Sequence, residues 1–236
     1  MAILVGMHPG GRNSFAISAL FWTGRLPALL IGSRAYSGVN AVLYDIMSVF
    51  GEWGELTAAA IASPLTWSGT PDGRRDCDRA LKELVPAWAP SNWLRAPNVL
   101  PGSVGIQGPA LAWSLAVEAK QGNLPKHQIY ETHPRLSLGR FARDLREPLC
   151  GYRQRSITKD ERTKYVTRLV DRLVDPGIIR IETDTPQIPE ELEALVCATT
   201  ALAVAFPQCG LITREMSGGD IRPVGRRSVI LLEALP

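Results

Sequence analysis

The hydrophobic pattern of this chain changes period several times, and each change marks an element. Ile3, Leu4, Val5 and Met7 lie in a continuous apolar run, 2–7, of the kind carried by a strand buried on both faces. A turn-rich stretch follows at 9–13. Residues 14–22 and 27–32 resume strand character, which predicts an antiparallel meander. From 39 to 53 the period is helical, with Val39, Val42, Leu43, Ile46, Val49 and Phe50 on one face. Residues 56–61 are again short and apolar. Two continuous apolar strands joined through a helix are expected to lie adjacent and parallel, 2–7 beside 56–61.

The middle is irregular. Residues 66–75 form a Gly-, Pro- and Ser-rich loop, and 77–85 a short helix. The segment 88–109 holds four prolines, and its Trp88, Trp93, Leu94 and Val99 need something to pack on. Residues 110–120 read as a helix and 127–131 as a strand. Residues 134–146 read as one helix with Leu136, Leu138, Phe141 and Leu145 inward. Thr158 and Glu161 make a capping box for a helix that buries Val166, Leu169, Val170 and Leu173, and Pro176-Gly177 stops it. Another helix covers 189–206, and 228–232 is a last strand. With 127–131 joining the early strands, the expectation is α/β: one mixed sheet flanked by helices in a single domain, 1–236, with an irregular insertion at about 66–109.

Hydrophobic residues make up 45% of the 236 positions and charged residues 21%, the balance of a soluble globular protein. The apolar start is too short for a signal peptide. The longest apolar stretch, 194–206, falls short of the ~20 residues that cross a bilayer. Cys77, Cys150, Cys197 and Cys209 form no CxxC pair. Reduced thiols, a cytoplasmic location and no membrane partner are the expectations.

Net charge is only +3, but its distribution is uneven. Arg140, Arg143, Arg146, Arg153, Arg155, Lys159, Arg162, Lys164, Arg168 and Arg172 crowd together. Lys164, Arg168 and Arg172 repeat every four residues and share a helix face. That face is either solvated, with Asp160, Glu161 and Asp171 nearby, or turned to an anionic partner such as nucleic acid or an acidic protein surface. Arg74 and Arg75 are further candidates for phosphate contact; the alternative is a solvated loop at a helix start. The loop Gly10-Gly11-Arg12-Asn13 lacks the Gly-Lys-Ser/Thr ending of a phosphate cradle and reads as a hairpin turn.

Strand, strand, strand, helix, strand is the opening order of the ribonuclease H fold. Five segments strengthen that likeness: Gly6-Met7-His8-Pro9-Gly10-Gly11, Ala60-Ile61-Ala62-Ser63-Pro64-Leu65, Gly73-Arg74-Arg75-Asp76-Cys77-Asp78, Tyr130-Glu131-Thr132-His133-Pro134 and Glu193-Ala194-Leu195-Val196-Cys197-Ala198. In order and spacing, from about residue 3 to 212, they resemble a bacterial and archaeal domain family labelled "predicted nuclease with ribonuclease H fold". The resemblance implies a metal-dependent nuclease site with acids at four places. Here they are occupied by His8, Ala62, Glu131 and Glu193, with Glu190 one turn before the last.

Two-metal hydrolysis needs carboxylates to bridge two Mg²⁺ ions about 4 Å apart. Neutral His8 supplies no negative charge, though it could ligate Mn²⁺ or Zn²⁺, and Ala62 supplies no ligand. The implied site residues are therefore His8, Glu131 and Glu193 for catalysis, with His8, Glu131, Glu190 and Glu193 as metal ligands and Mg²⁺ or Mn²⁺ only weakly bound. Each has a plainer reading. His8 can cap a turn before Pro9, Glu131 can accept backbone hydrogen bonds, and Glu190 and Glu193 can serve a helix dipole. The leading expectation is a degenerate site in a nucleic-acid-binding or assembly component. An active nuclease using the altered set, with His133 beside His8 and Glu131, is one rival. A protein–protein module or homo-oligomer, with Trp22, Trp53, Trp67, Trp88, Trp93 and Trp113 partly at interfaces, is the other.

Overall fold

The computed structural model describes residues 1–10, 14–36, 38–66, 68–90, 93–94, 103–182, 184–217 and 228–234, with backbone only at 47–53, 103, 104, 217, 228 and 234. Gly11, Arg12 and Asn13 of the expected turn, Trp67, Val99 and the side chains of Val49, Phe50 and Trp53 lie outside the described residues.

One mixed sheet holds all eight described strands: β1 (Ala2–His8), β2 (Phe15–Trp22), β3 (Ala28–Tyr36), β4 (Glu55–Ile61), β5 (Gln128–Thr132), β6 (Ile179–Ile181), β7 (Ile212–Ser217) and β8 (Ser228–Ala234). Their order is β6-β3-β2-β1-β4-β5-β8-β7. β1, β2 and β3 form the antiparallel meander. β4 lies parallel to β1, with Val5 opposite Ala59, and β5 is parallel to β4. This is the ribonuclease H-like arrangement that the opening element order predicts.

The continuous apolar run of β1 follows from burial on both faces. Ile3, Val5 and Met7 point into a core shared with Val42 and Ile46 of α1 (Val39–Trp53) and, past the short α2 (Asp76–Leu84), with Leu111 and Leu115 of α3 (Ser103–Gln121). Leu4 points the other way, into a core built with α4 (Pro134–Phe141), α5 (Arg146–Gly151), α6 (Lys159–Val174) and α7 (Pro189–Ala205). α7 crosses β1 at Gly6, where a Cβ would stand 1.9 Å from the Ala194 carbonyl oxygen and 2.1 Å from the Ala198 nitrogen. Only glycine lets the helix sit this close.

Some boundaries differ from expectation. The helix expected at 134–146 stops at Phe141 as α4, and a second helix, α5, starts at Arg146 and runs on to Gly151. Pro148 explains the break: inside one continuous helix its ring would meet the carbonyl of residue 144. α3 starts earlier than 110, at Ser103, and carries Pro109 inside. β6 and β7 were not expected; β6 has three residues and β7 carries Arg214 and Glu215, and both lie at the sheet's edges. The capping box of α6 is present, with Thr158 Oγ1 accepting the Glu161 N–H at 3.2 Å. Trp88 and Trp93 pack edge to face on each other at 5.7 Å. All four cysteines are free. No helix among the described residues is long and apolar enough to cross a membrane.

Candidate functional site

Parallel strands end their backbone pairing together, and clefts in open α/β sheets form at those carboxyl ends. Here the Ala62 N–H continues the ladder to the Met7 carbonyl at 2.8 Å, which sets His8 and Ala62 side by side at the ends of β1 and β4. Glu131 stands near the end of β5. Above them opens a cleft of about 420 Å³ whose walls include His8, Ala62, Ser63, Arg75, Glu131, His133, Arg135, Arg153, Glu190 and Glu193.

Two ion-pair clusters occupy this cleft. In the first, Arg75 is 3% exposed and forks onto Glu131: Nη2 donates to Oε1 at 2.6 Å and Nη1 to Oε2 at 2.7 Å. The same guanidinium reaches Asp78, Nη2 to Oδ1 at 2.7 Å and Nε to Oδ2 at 3.0 Å. Leu65 N–H adds a bond to Glu131 Oε2 at 2.7 Å, and Thr66 Oγ1 accepts from Arg75 Nη1 at 2.8 Å. Burial works against the Arg75 charge, and Glu131 and Asp78 outweigh it. For Glu131, burial pushes the carboxyl up against the pull of Arg75 and the Leu65 amide. Burial also pushes the neighbouring Cys77 thiol up to about 12, so it supplies no thiolate.

The second cluster is built by α7. Because Gly6 seats α7 on β1, Glu193 reaches His8, with Oε2 2.9 Å from Nε2. Glu193 Oε1 accepts from Arg153 Nε at 2.5 Å, Arg135 Nε at 3.1 Å and Tyr152 Oη at 2.8 Å. Arg153 Nη1 also holds Glu190 Oε1 at 3.0 Å. Burial alone would raise the Glu193 carboxyl, but Arg153, Arg135 and His8 reverse this and hold it well below the usual carboxylate range. His8 holds its Nε2 between the Glu193 carboxylate and Arg153 Nη2, the latter at 3.2 Å. Its Nδ1 is buried and has no hydrogen-bond partner among the described residues. Glu191, not Glu190 or Glu193, closes the start of α7, its Oε2 accepting the Gln187 N–H at 2.8 Å.

The residues proposed as metal ligands are thus divided. His8, Glu190 and Glu193 come together around Arg153, while Glu131 belongs to Arg75. Each oxygen of Glu131 and Glu193 already faces a guanidinium, an imidazole or a backbone amide, and Ala62 brings no donor. Among the described residues no group of three His, Cys, Asp or Glu side chains converges on a common point to hold an ion. The donor set does not fit Mg²⁺ or Mn²⁺. Sequence reasoning missed Arg135 and Arg153 as parts of this site; the only signal for Arg153 was membership in the basic run, and Arg135 had none.

Of the residues expected to meet phosphate, Lys164, Arg168 and Arg172 are exposed on α6, with Arg168 3.5 Å from Glu147 and Arg172 3.1 Å from Asp144. Arg74 is exposed as well. Arg75 is a correction: it lies inside the protein, held by two carboxylates, because an unpaired guanidinium could not be buried there. The stretch around it is likewise not a solvated loop, since Cys77 and Asp78 are buried.

His133 lines the same cleft. Its Nδ1 accepts the Leu136 N–H at 3.3 Å and caps α4. Burial, and then Arg135, lower its pKa to about 4. The unfolded chain therefore takes up the proton first, near pH 6.5, while the folded protein does so only near 4. Stability from this group is complete above 6.5 and is lost as pH falls towards 4. Since the ring is not fully shielded, the expected loss in urea unfolding between pH 7 and 4.5 is on the order of 2 kcal/mol, removed by His133→Asn.

No protein-family model matches the sequence, and no curated protein matches it. Among solved structures, the chain is similar to T. thermophilus RuvC in complex with Holliday junction substrate, at 12% identity over 88% of this chain and 97% of that one, with a TM-score of 0.43.

Proposed function

We propose that this protein is a ribonuclease H-fold member of the predicted-nuclease family whose metal centre has been replaced by arginine–carboxylate pairs, and that it binds nucleic acid as a component of an assembly without cleaving it. The observation that carries this is the position of the guanidinium groups. Arg75 lies on Glu131, and Arg153 and Arg135 lie on Glu193, at 2.5–3.1 Å. These are the positive charges that the remaining acids neutralise, so no divalent ion is needed to hold the cleft together.

Binding to an anionic polymer is supported by charge. Between Arg140 and Arg172 there are ten basic and five acidic residues, a net +5 in a chain whose total is +3. Exposed ion pairs such as Arg168–Glu147 are weak and screened, so they leave this field largely in place. The same segment delivers Arg153 into the cleft.

Fluorescence anisotropy with labelled single- and double-stranded DNA and RNA tests the proposal. Replacing Lys164, Arg168 and Arg172 together with Gln should weaken binding on all sequences alike and reduce the salt slope by roughly 0.9 per lost phosphate contact on duplex DNA. The fold should survive, because Val166, Leu169, Val170 and Leu173 still fill the buried face of α6. Absence of salt-sensitive binding to any of the four polymers would refute nucleic-acid recognition. Cleavage of any of them by the unmodified protein, lost in Glu131→Gln, would refute the non-catalytic part.

A further inference from the structure

The two faces of the sheet carry very different surfaces. The α4–α7 face is strongly basic. The α1–α3 face is almost uncharged: α3 has no charged residue from Ser103 to Val117, and α1, packed beside it, has only Asp45 before Glu52. Yet α3 leaves apolar side chains in solvent. Ile106 is 70% exposed and Trp113 59%, and Ala110 is exposed too. With half-buried Val117 they fall at intervals of four, three and four, a single stripe along the outer side of the helix. Its opposite side is anchored by Leu111, Ala112 and Leu115 in the core, and by Gly108, where a Cβ would meet Ser63 Oγ at 2.1 Å. The stripe therefore cannot turn inward. On α1, Tyr44 is 78% exposed.

We propose that this face pairs with a second copy of the chain, α3 against α3 in antiparallel register. The stripe is complementary to itself in that direction only. Reversing it sets Ile106 against Val117 of the other copy and Trp113 against Ala110, so that each large ring lies over a small side chain and both contacts recur by symmetry. Parallel pairing would instead stack Trp113 on Trp113. Charge points to the same face. Two copies meeting through α5 and α6 would bring together two surfaces of the basic segment, whereas the α3 stripe brings no like charges together. Antiparallel helices also oppose their dipoles favourably. In such a dimer both basic faces point outward, where a nucleic acid could reach them. The stripe and its neighbour α1 form a modest interface, so association in the micromolar range is expected.

Sedimentation velocity from about 1 to 200 μM is the test. The unmodified protein should pass reversibly from monomer to dimer. Trp113→Ala and Ala110→Trp should each weaken the dimer by at least about tenfold. The double variant Ala110→Trp/Trp113→Ala should regain most of it, because the exchange restores one large and one small residue at each contact. Both side chains are exposed, so circular dichroism and melting temperature should not change. A protein monomeric throughout, a dimer indifferent to Trp113→Glu, or a double variant no better than the single ones would overturn the proposal. None of these outcomes depends on what the cleft or the basic face does.

Discussion

Arg75→Met is expected to cost about 3–5 kcal/mol in urea unfolding at pH 7, among the largest losses any single change in the cleft can produce. The guanidinium is the shared counter-charge of Glu131 and Asp78, and all three side chains are at least 95% buried. Its removal strands two carboxylates that are almost wholly shielded from water. Burial already raises the Glu131 carboxyl with Arg75 present. Without Arg75 the protonated form becomes the stable one in the folded state. A folded pKa raised above the unfolded value gives stability that is present at low pH and lost as pH rises. The variant should therefore be more stable at pH 5 than at pH 7, which separates a lost ion pair from a lost packing contact. Arg79→Met serves as the control. Arg79 pairs with Asp72 and Asp76 at 46% exposure, and its replacement should leave the midpoint nearly unchanged.

Gly6→Ala should be nearly as damaging, for a steric reason. A single methyl at this position would overlap backbone atoms of Ala194 and Ala198, and backbone cannot rotate away as a side chain can. α7 would have to lift from β1, at a cost at or above the upper end of the ~1–3 kcal/mol typical of overpacking. The same shift would draw Glu193 away from His8 and expose both to water. Loss of the His8–Glu193 contact should appear in the nuclear magnetic resonance signals of the imidazole even where the variant folds. Gly32→Ala, with nothing within 4 Å of the added carbon, should be tolerated.

The sheet was legible because burial writes itself into sequence. β1 and β4 read as continuous apolar runs since helices cover both faces, and the capping box of α6 is a purely local signal. The edge strands β6 and β7 gave no such signal: one is too short to show a period, and the other carries Thr213, Arg214 and Glu215. The division of residues 134–151 was readable from Pro148 but was outweighed by the helical spacing of Leu138, Phe141 and Leu145. In the cleft, His8, Glu131, Glu190 and Glu193 were singled out as catalytic or metal-binding residues, and all four line it. Their partners were not. Arg75 lies 56 residues from Glu131, and Arg135 and Arg153 lie 58 and 40 residues from Glu193; no local pattern encodes a contact over that distance. Nor could composition separate an arginine buried on two carboxylates from one facing solvent, so Arg75 and Arg168 read alike until folding placed one inside and the other out.

Calorimetric titration of Mg²⁺ into the unmodified protein at pH 7.5 tests the central claim most directly. With Arg75 on Glu131, and Arg153 and Arg135 on Glu193, the carboxylates are already neutralised. The expected result is no saturable heat up to about 10 mM Mg²⁺, and no shift of the melting temperature beyond that of an equal ionic strength of NaCl. Saturable Mg²⁺ uptake below about 1 mM, abolished by Glu131→Gln, would contradict the account and return the cleft to metal-dependent chemistry.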